Sequence, residues 1–319
     1  MASRTEIGDL LRWDTGLQIA EESYSRLRAH PRYTEAVRTY ASNMLAIGDA
    51  DPLLDGIMKD AGRNSAAMFA AYLHFSGGLT LPSIKALCAS LGLVSIGRAR
   101  ALLLYLRYLG YVEPAPATGG RGPARYRATA KFIHTWRSMQ RRVMKSVAVV
   151  EPAISLLADH IDTPGVLDGF TRFQCEGFLA TAPHVDRNSP YFRVFMHSNA
   201  GFQIVHTLLA ANEGDFPPTA QIPFSISAAA KRFRVSRVHV SRVLAAAQQL
   251  GLLRLCADGV ICFEPEGRSA VDFIFAMQLV HFLSAAAKTL KALPELPEMP
   301  VSLPAHIPMK PDQIGEAAC

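Results

Sequence analysis

Two arginines and three other polar side chains lie within seven positions in the segment SRVHVSR, residues 236–242. Arginine presents a planar fork of N–H donors that can bind guanine O6 and N7 or a phosphate group, and an apolar side chain can contact the methyl group of thymine. The residues with this chemistry are Ser236, Arg237, Val238, His239, Ser241 and Arg242. The segment therefore has the groups needed to contact nucleic acid.

The residues around this segment predict two helices joined by a short turn. Small residues begin the first helix at 227–230, and a basic stretch that includes Arg234 follows it. Ser236 can cap a second helix that ends at Gly251, and apolar residues recur along that helix at the spacing of a buried stripe. The polar residues of the segment fall off this stripe, near the helix N-terminus. The pattern predicts a helix-turn-helix whose second helix presents its first turns to the major groove of DNA.

An earlier region has the same order of predicted elements. Helices are expected over 65–75, 84–92 and 95–110, followed by short strands at 111–113 and 126–128 that flank a Gly/Pro-rich loop. Three helices and a hairpin are the elements of a winged helix, and basic residues on such a hairpin can enter the minor groove. The candidate DNA contacts here are Ser95, Arg98 and Arg100 on the helix and Arg121, Arg125 and Arg127 on the hairpin.

The two regions align with a shift of 141 residues. This shift places Ser95 on Ser236 and Gly110 on Gly251, so the helix between them has the same length in both copies. A second hairpin is predicted after Gly251, because apolar and polar residues alternate about the turn sequence Asp258-Gly259. The chain is therefore expected to be mainly α, with small β-hairpin wings and two winged-helix domains on a helical scaffold.

The expected domains follow from these boundaries. They are an N-terminal helical extension (1–60), the first winged-helix domain with a following long helix (61–160), a helical connector (161–199), the second winged-helix domain (200–268), a C-terminal helix (269–292) and a disordered Pro-rich tail (293–319). A single long helix is expected over 191–211. Six aromatic residues between 170 and 195 favour a packed core, and an effector pocket between the two domains is the alternative.

Charge is concentrated in the two regions. The net charge is only +6, but residues 61–150 hold thirteen Lys and Arg residues against one acid, Glu113, and residues 221–257 hold six against none. Local Lys and Arg density governs phosphate binding, so a polyanionic partner is expected. A solvated basic face is the alternative reading.

Other classes of protein find little support in the sequence. We see no signal peptide or long uncharged apolar run, and five scattered cysteines fit neither a disulfide framework nor a zinc site, so a reducing cytoplasm is expected, in association with the nucleoid. No nucleotide-binding loop, nucleophile elbow or zinc-protease motif is present, and the histidines lack metal-ligand spacing. We expect no enzyme and no cofactor.

The chain resembles bacterial transcription regulators with tandem winged helices. The second unit resembles the DNA-binding domain of the cyclic-AMP receptor family through 235–237 (VSR), 240–242 (VSR) and 250–252 (LGL), and the first is similar to the MarR type through its long helix and Arg-bearing wing. This resemblance implies sequence-specific binding of double-stranded DNA, base contacts by Arg237 and Arg242, and a homodimer. No cyclic-nucleotide-binding barrel precedes the second unit, so cyclic AMP is not implied, and a small-molecule effector remains open.

Two other functions are compatible with the same pattern. A plasmid-type replication initiator also uses two winged-helix units, but it would recognise directly repeated origin sequences. A protein–protein scaffold with degenerate winged helices is the third hypothesis, although the two basic regions argue against it.

Overall fold

The computed structural model describes residues 4–14, 21–50, 52–92, 94–116 and 122–293, and within these residues the chain is mostly helical. Two small antiparallel sheets accompany the helices, so the expectation of a mainly α fold is confirmed. The helices are α1 Arg4–Leu11, α2 Glu21–Arg28, α3 Tyr33–Ala50, α4 Pro52–Met58, α5 Ala61–Phe75, α6 Leu81–Leu91, α7 Ile96–Tyr108, α8 Ala130–Val147, α9 Ile154–Asp159, α10 Val166–Thr181, α11 Gly201–Ala211, α12 Ile226–Phe233, α13 Arg237–Gln249 and α14 Pro265–Ala292. The strands are β1 Val112–Pro114, β2 Tyr126–Ala128, β3 Ile222–Pro223, β4 Leu253–Leu255 and β5 Val260–Phe263.

The first unit consists of α5, α6, α7 and the antiparallel pair β1–β2 (residues 61–128). Each helix begins at a side chain that accepts a backbone N–H: Asp60 for α5, Thr80 for α6 and Ser95 for α7. Val112 pairs with Ala128 in the two-stranded sheet. The expected order of three helices and a hairpin is therefore present.

The second unit consists of α11, α12, α13 and a three-stranded sheet with the order β3-β5-β4 (residues 201–263). Ser225 caps α12 and Ser236 caps α13. The turn between β4 and β5 has positive φ at both Asp258 (59°) and Gly259 (72°), as the sequence Asp-Gly predicts for a tight hairpin.

The 141-residue repeat is present in the backbone. Helices α7 and α13 both have 13 residues, and both begin after a serine cap. Each is followed by a glycine in the left-handed conformation, Gly110 (φ 70°) and Gly251 (φ 68°), which turns the chain into the first strand of the sheet. The two helices therefore occupy the same place in two similarly built units.

Helices outside the two units form a shared core. Helix α3 packs on α8 and α11, and α10 packs on both α5 and α14. The N-terminal region is thus part of the core, and Arg28 and Tyr33 bind Asp272 of α14 at 2.7 Å and 3.2 Å. Among the described helices, α14 alone is long and apolar enough to cross a membrane, but 83% of its most apolar window is buried inside the protein. This is compatible with the central helix of a soluble protein.

The single helix expected over 191–211 is wrong. A π-helix, Phe192–Met196, is followed by a break, and α11 begins only at Gly201. Ala200 has a left-handed backbone (φ 61°), and a Cβ at Gly201 would lie 2.4 Å from the carbonyl oxygen of Phe195. The chain must turn sharply here to pack α11 against the π-helix, which an unbroken helix does not allow.

One further boundary differs from the sequence prediction, and one predicted segment lies outside the described residues. Helix α14 begins at Pro265 rather than at 269, since proline fits the first turn of a helix. The tail expected to be disordered lies outside the described residues from position 294 onward.

Candidate nucleic-acid interface

One face of α13 is exposed along its whole length. The helical angles of its exposed residues fall within about 140° of one another, at 100° per residue. The opposite side packs into the second unit through Val240, Val243, Leu244 and Ala247. The exposed residues are Arg237, Val238, Ser241, Arg242, Ala245, Gln248 and Gln249.

The two arginines of this face are available for binding. Arg237 and Arg242 are exposed and form no ion pair with any described residue. Ser236 accepts the backbone N–H of His239 at 3.1 Å, so its hydroxyl oxygen fixes the N-terminus of the helix. Ser241 lies on the same face as the arginines. The sequence prediction thus correctly locates four polar residues at one accessible helix end.

His239 has a structural contact instead of an exposed side chain. Its ring Nε2 donates to the backbone carbonyl of Asn199 at 2.6 Å, and the residue is partly buried. This bond ties the first turn of α13 to the segment that precedes α11. His239 therefore orients the helix, whereas the sequence interpretation placed it among the direct DNA contacts.

The basic side chains at and before the turn that precedes α13 differ in their contacts. Arg234 is exposed and has a left-handed backbone (φ 52°), which reverses the chain between α12 and α13. Lys231 is also exposed. Arg232 binds the carboxylate of Asp49 with two nitrogens, at 2.6 Å and 3.1 Å, so it is already paired within the protein.

The corresponding face of α7 is exposed and carries large apolar residues between its arginines. Ile96 is 59% exposed, Leu104 is 46% exposed and Tyr108 is 86% exposed. Arg100 and Arg107 lie among them, and the guanidinium of Arg107 lies 5.6 Å from the ring centre of Tyr126. The exposed residues are Ile96, Gly97, Arg100, Ala101, Leu104, Arg107 and Tyr108.

Arg98 binds within the first unit. Its Nη2 lies 2.8 Å from the Oδ1 of Asp60, a buried carboxylate that also accepts the backbone N–H of Arg63 at 2.9 Å. Arg98 follows Ser95 by three positions, as His239 follows Ser236. In both units this position anchors the helix to a neighbouring element.

The first hairpin offers fewer free cations than its sequence indicates. Arg127 forms an ion pair with Glu113 across the strands at 2.7 Å, whereas Arg125 is exposed. Arg121, expected at the tip, lies outside the described residues. In the second hairpin, Arg254 pairs with Glu264 at 2.9 Å, and the tip sequence, residues 257–259 (ADG), carries no cation.

The basic residues of α8 follow the same trend. Arg137 and Arg141 both bind Asp162, at 3.0 Å and 2.9 Å, while Lys145 of the same face is exposed. The two ion pairs remove Arg137 and Arg141 from ready access by a phosphate.

The described residues contain no cluster of metal-ligating side chains. Four described cysteines are free, and the sulfurs of Cys256 and Cys262 lie 3.5 Å apart on the second hairpin. Comparison of the chain with protein-family models, with curated proteins and with solved structures gave no match.

Proposed function

We propose that this chain is a sequence-specific regulator of transcription that binds double-stranded DNA through two winged-helix units. It would act in the cytoplasm, at the nucleoid. Helix α13 is the recognition helix: its exposed face enters the major groove, and Arg237 and Arg242 contact base edges. Arg100 and Arg125 of the first unit contact phosphates, which fixes the position of the protein on the duplex.

The exposed face of α13 supports this proposal more than any other feature. Two unpaired arginines, a serine and two glutamines share one side of a helix whose other side is buried. A purely structural helix has no need to keep both arginines clear of carboxylates in a protein that pairs Arg98, Arg127, Arg137, Arg141, Arg232 and Arg254. Arginine and glutamine are suited to bidentate bonds with guanine and adenine.

The proposal gives the two units different roles. The sequence predicts DNA contacts by Arg98 on the helix and Arg127 on the hairpin of the first unit, but Arg98 is paired with Asp60 and Arg127 with Glu113. We therefore assign a smaller electrostatic role to the described part of the first unit. Base recognition rests on α13.

Selection from a randomised pool of duplexes tests this function. The protein should enrich a defined sequence, and Arg242→Ala should weaken binding to that sequence by about 10- to 100-fold, the effect of one good bidentate pair. Binding to random duplex should fall by less than about threefold, since a single phosphate contact is lost.

Arg32→Ala is the matched control, because Arg32 is exposed, lies outside both units and, among the described residues, forms an ion pair with Glu35 alone. It should leave both affinities unchanged. Enrichment of no sequence, or an equal loss on selected and random duplexes for Arg242→Ala, contradicts base recognition by α13.

A further inference from the structure

A large cavity lies where the two units meet the helical core. The space open to the centres of water molecules in it is about 110 Å³. The walls come from α5 and α6 of the first unit, from α11 of the second, from α3, α8, α10 and α14 of the core, and from the segment between α10 and α11 (residues 182–200, here the bridging segment). This space is several times what one buried water needs.

The walls are mainly apolar, with polar groups at a few points. Trp136, Phe178, Phe192 and Phe282 line the cavity together with several methionines. Arg187 is the one charged residue among the described residues that line it. Such a surface favours an uncharged aromatic or aliphatic body over a sugar or a nucleotide.

Two buried carboxamides in this wall have a side-chain oxygen without a hydrogen-bond donor among the described residues. Gln174 is 6% exposed and Gln278 is 7% exposed, and the Oε1 of each accepts no hydrogen bond from the described residues. A buried acceptor without a donor costs free energy, so natural cores seldom keep one. Both side chains line the same cavity. A ligand that carries N–H or O–H donors would satisfy them.

From these observations we infer that the cavity binds a small apolar molecule with at least one N–H or O–H group, and that the bridging segment transmits its binding to both units. The ligand's apolar body contacts the aromatic wall, and its donor binds Gln174 or Gln278. Ligand binding does not depend on the proposed DNA-binding function, whereas its regulatory consequence rests on that function.

The bridging segment contacts the first unit through Arg187. The guanidinium of Arg187 lies so close to Gly92, in the turn between α6 and α7, that a Cβ at Gly92 would lie 2.0 Å from Nη1. Arg187 also donates to the carbonyl of Ala182 at 2.7 Å and lines the cavity. Movement of Arg187 would therefore act directly on the turn that precedes α7.

The same segment contacts the second unit near its other end. The carbonyl of Asn199 accepts the ring N–H of His239 on α13, and the N–H of Ala200 donates to the carbonyl of Lys59 at 2.8 Å. Between these contacts lies the π-helix, whose Phe192 and Met196 line the cavity. π-Helical turns occur often at functional sites. One segment thus joins the cavity wall to the turn before α7 and to the first turn of α13.

Ligand binding can be tested with N-phenyl-1-naphthylamine, a fluorescent apolar molecule with one N–H donor. The full chain should bind it saturably with one site per chain. Ser65→Phe, which fills the cavity from α5, should weaken binding at least about tenfold. Either Gln174→Leu or Gln278→Leu should weaken it by about three- to tenfold, because the single N–H of the probe donates to one of the two carboxamides.

Gln221→Leu, a change at an exposed glutamine, is the matched control and should leave binding unchanged. Because Gln278→Leu removes a buried oxygen that accepts no hydrogen bond from the described residues, it should not lower the melting temperature. An unchanged melting temperature would distinguish loss of a ligand contact from a folding defect. Absence of saturable binding, or equal binding by wild type and folded Ser65→Phe protein, overturns the site. Unchanged binding in both leucine variants overturns the role of the carboxamides.

Transmission is tested by amide hydrogen exchange without DNA. Saturation with the probe should slow exchange in both helix turns, 92–95 and 234–236, by at least about threefold if ligand binding stabilises the bridging segment. Arg187→Ala should remove the effect in the first turn and leave it in the second. Exchange that is unchanged in both turns of the probe-bound protein contradicts transmission, even if the protein binds DNA as proposed.

Discussion

Helices α7 and α13 share one backbone plan and differ in the surface they expose. Both follow a serine cap, have 13 residues and end before a left-handed glycine. Each exposed face carries two arginines without an ion pair to a described residue, and those of α7 are Arg100 and Arg107. The α13 face adds Ser241, Gln248 and Gln249, whereas the α7 face adds Ile96, Leu104 and Tyr108. Our proposal assigns base recognition to α13 because of this difference in the surrounding side chains.

In both helices, the residue three positions after the serine cap binds a neighbouring element of the protein. Arg98 and His239 differ in chemistry, yet each binds an element outside its own helix: Asp60 for Arg98 and the carbonyl of Asn199 for His239. Both side chains would be chosen as DNA contacts from the sequence. Their shared role is to set the orientation of the helix.

The largest predicted loss of stability comes from removing Asp60, which binds Arg98 and so holds α7 in place. Asp60 is buried, caps α5 and binds Arg63 and Arg98, so Asp60→Ala removes a helix cap and the partner of two cations. We expect the free energy of unfolding to fall by about 3 kcal/mol. Urea denaturation measures this loss.

Asp49→Ala provides the comparison in the second unit. Asp49 binds Arg232 of α12 at an exposed position, where an ion pair contributes at most about 1 kcal/mol. Equal losses for the two variants would show that the anchor of α7 has no special importance.

A smaller loss of stability is expected at acidic pH, and it should arise in the second unit more than in the first. Burial lowers the pKa of His206 in α11 to about 3, whereas His74 of the first unit is only partly buried. The unfolded chain binds a proton at His206 below pH ~6.5 and the folded chain does not, so stability falls as the pH drops through this window. Between pH 7 and pH 5 the loss through His206 should be about 2 kcal/mol.

His206→Phe should reduce this pH dependence. The ring of His206 packs against Tyr40, Phe202 and Phe275, and its Nε2 accepts no hydrogen bond from the described residues, so phenylalanine suits the site. His281, whose pKa burial lowers to about 4, should retain part of the acid sensitivity. A stability difference between pH 7 and pH 5 that is identical in wild type and His206→Phe refutes the assignment.

The smallest predicted effect compares apolar residues on the two exposed faces. Leu104→Ser on α7 should change the free energy of unfolding by less than ~0.5 kcal/mol and leave affinity for the selected duplex unchanged. Val238→Ser on α13 should be as mild for folding but should weaken binding about threefold, because a contact with a thymine methyl is lost. Fluorescence anisotropy with the selected duplex measures both, and a larger binding loss for Leu104→Ser would reverse the comparison.

Local signals account for most of the correct sequence predictions. Ser95 and Ser236 were identifiable as caps, and Gly110, Gly251 and the Asp258-Gly259 turn as chain reversals, because each depends on a few adjacent residues. The amphipathic pattern of α13 likewise placed Arg237 and Arg242 on its exposed side. Elements whose geometry is set by their own residues could therefore be predicted.

Contacts between distant residues could not be predicted in this way. Arg98 lies 38 positions from Asp60, and His239 lies 40 positions from Asn199, so nothing adjacent in the sequence shows either contact. The break before Gly201 depends on close packing against the backbone of Phe195, which leaves no periodic signal. The cavity depends on seven helices meeting at one place. Six aromatic residues between 170 and 195 were expected to form a packed core. Two of them, Phe178 and Phe192, line this cavity.

The central claim, that α13 and not α7 reads bases, is tested most directly by removing the arginines of each face in parallel. Affinity would be measured for the selected duplex and for random duplex, with Arg237→Ala combined with Arg242→Ala in one protein and Arg100→Ala combined with Arg107→Ala in the other. We predict that the α13 variant loses about 100-fold on the selected duplex and far less on random duplex, while the α7 variant loses the same few-fold on both. Loss of specificity in the α7 variant, with specificity intact in the α13 variant, would contradict the claim.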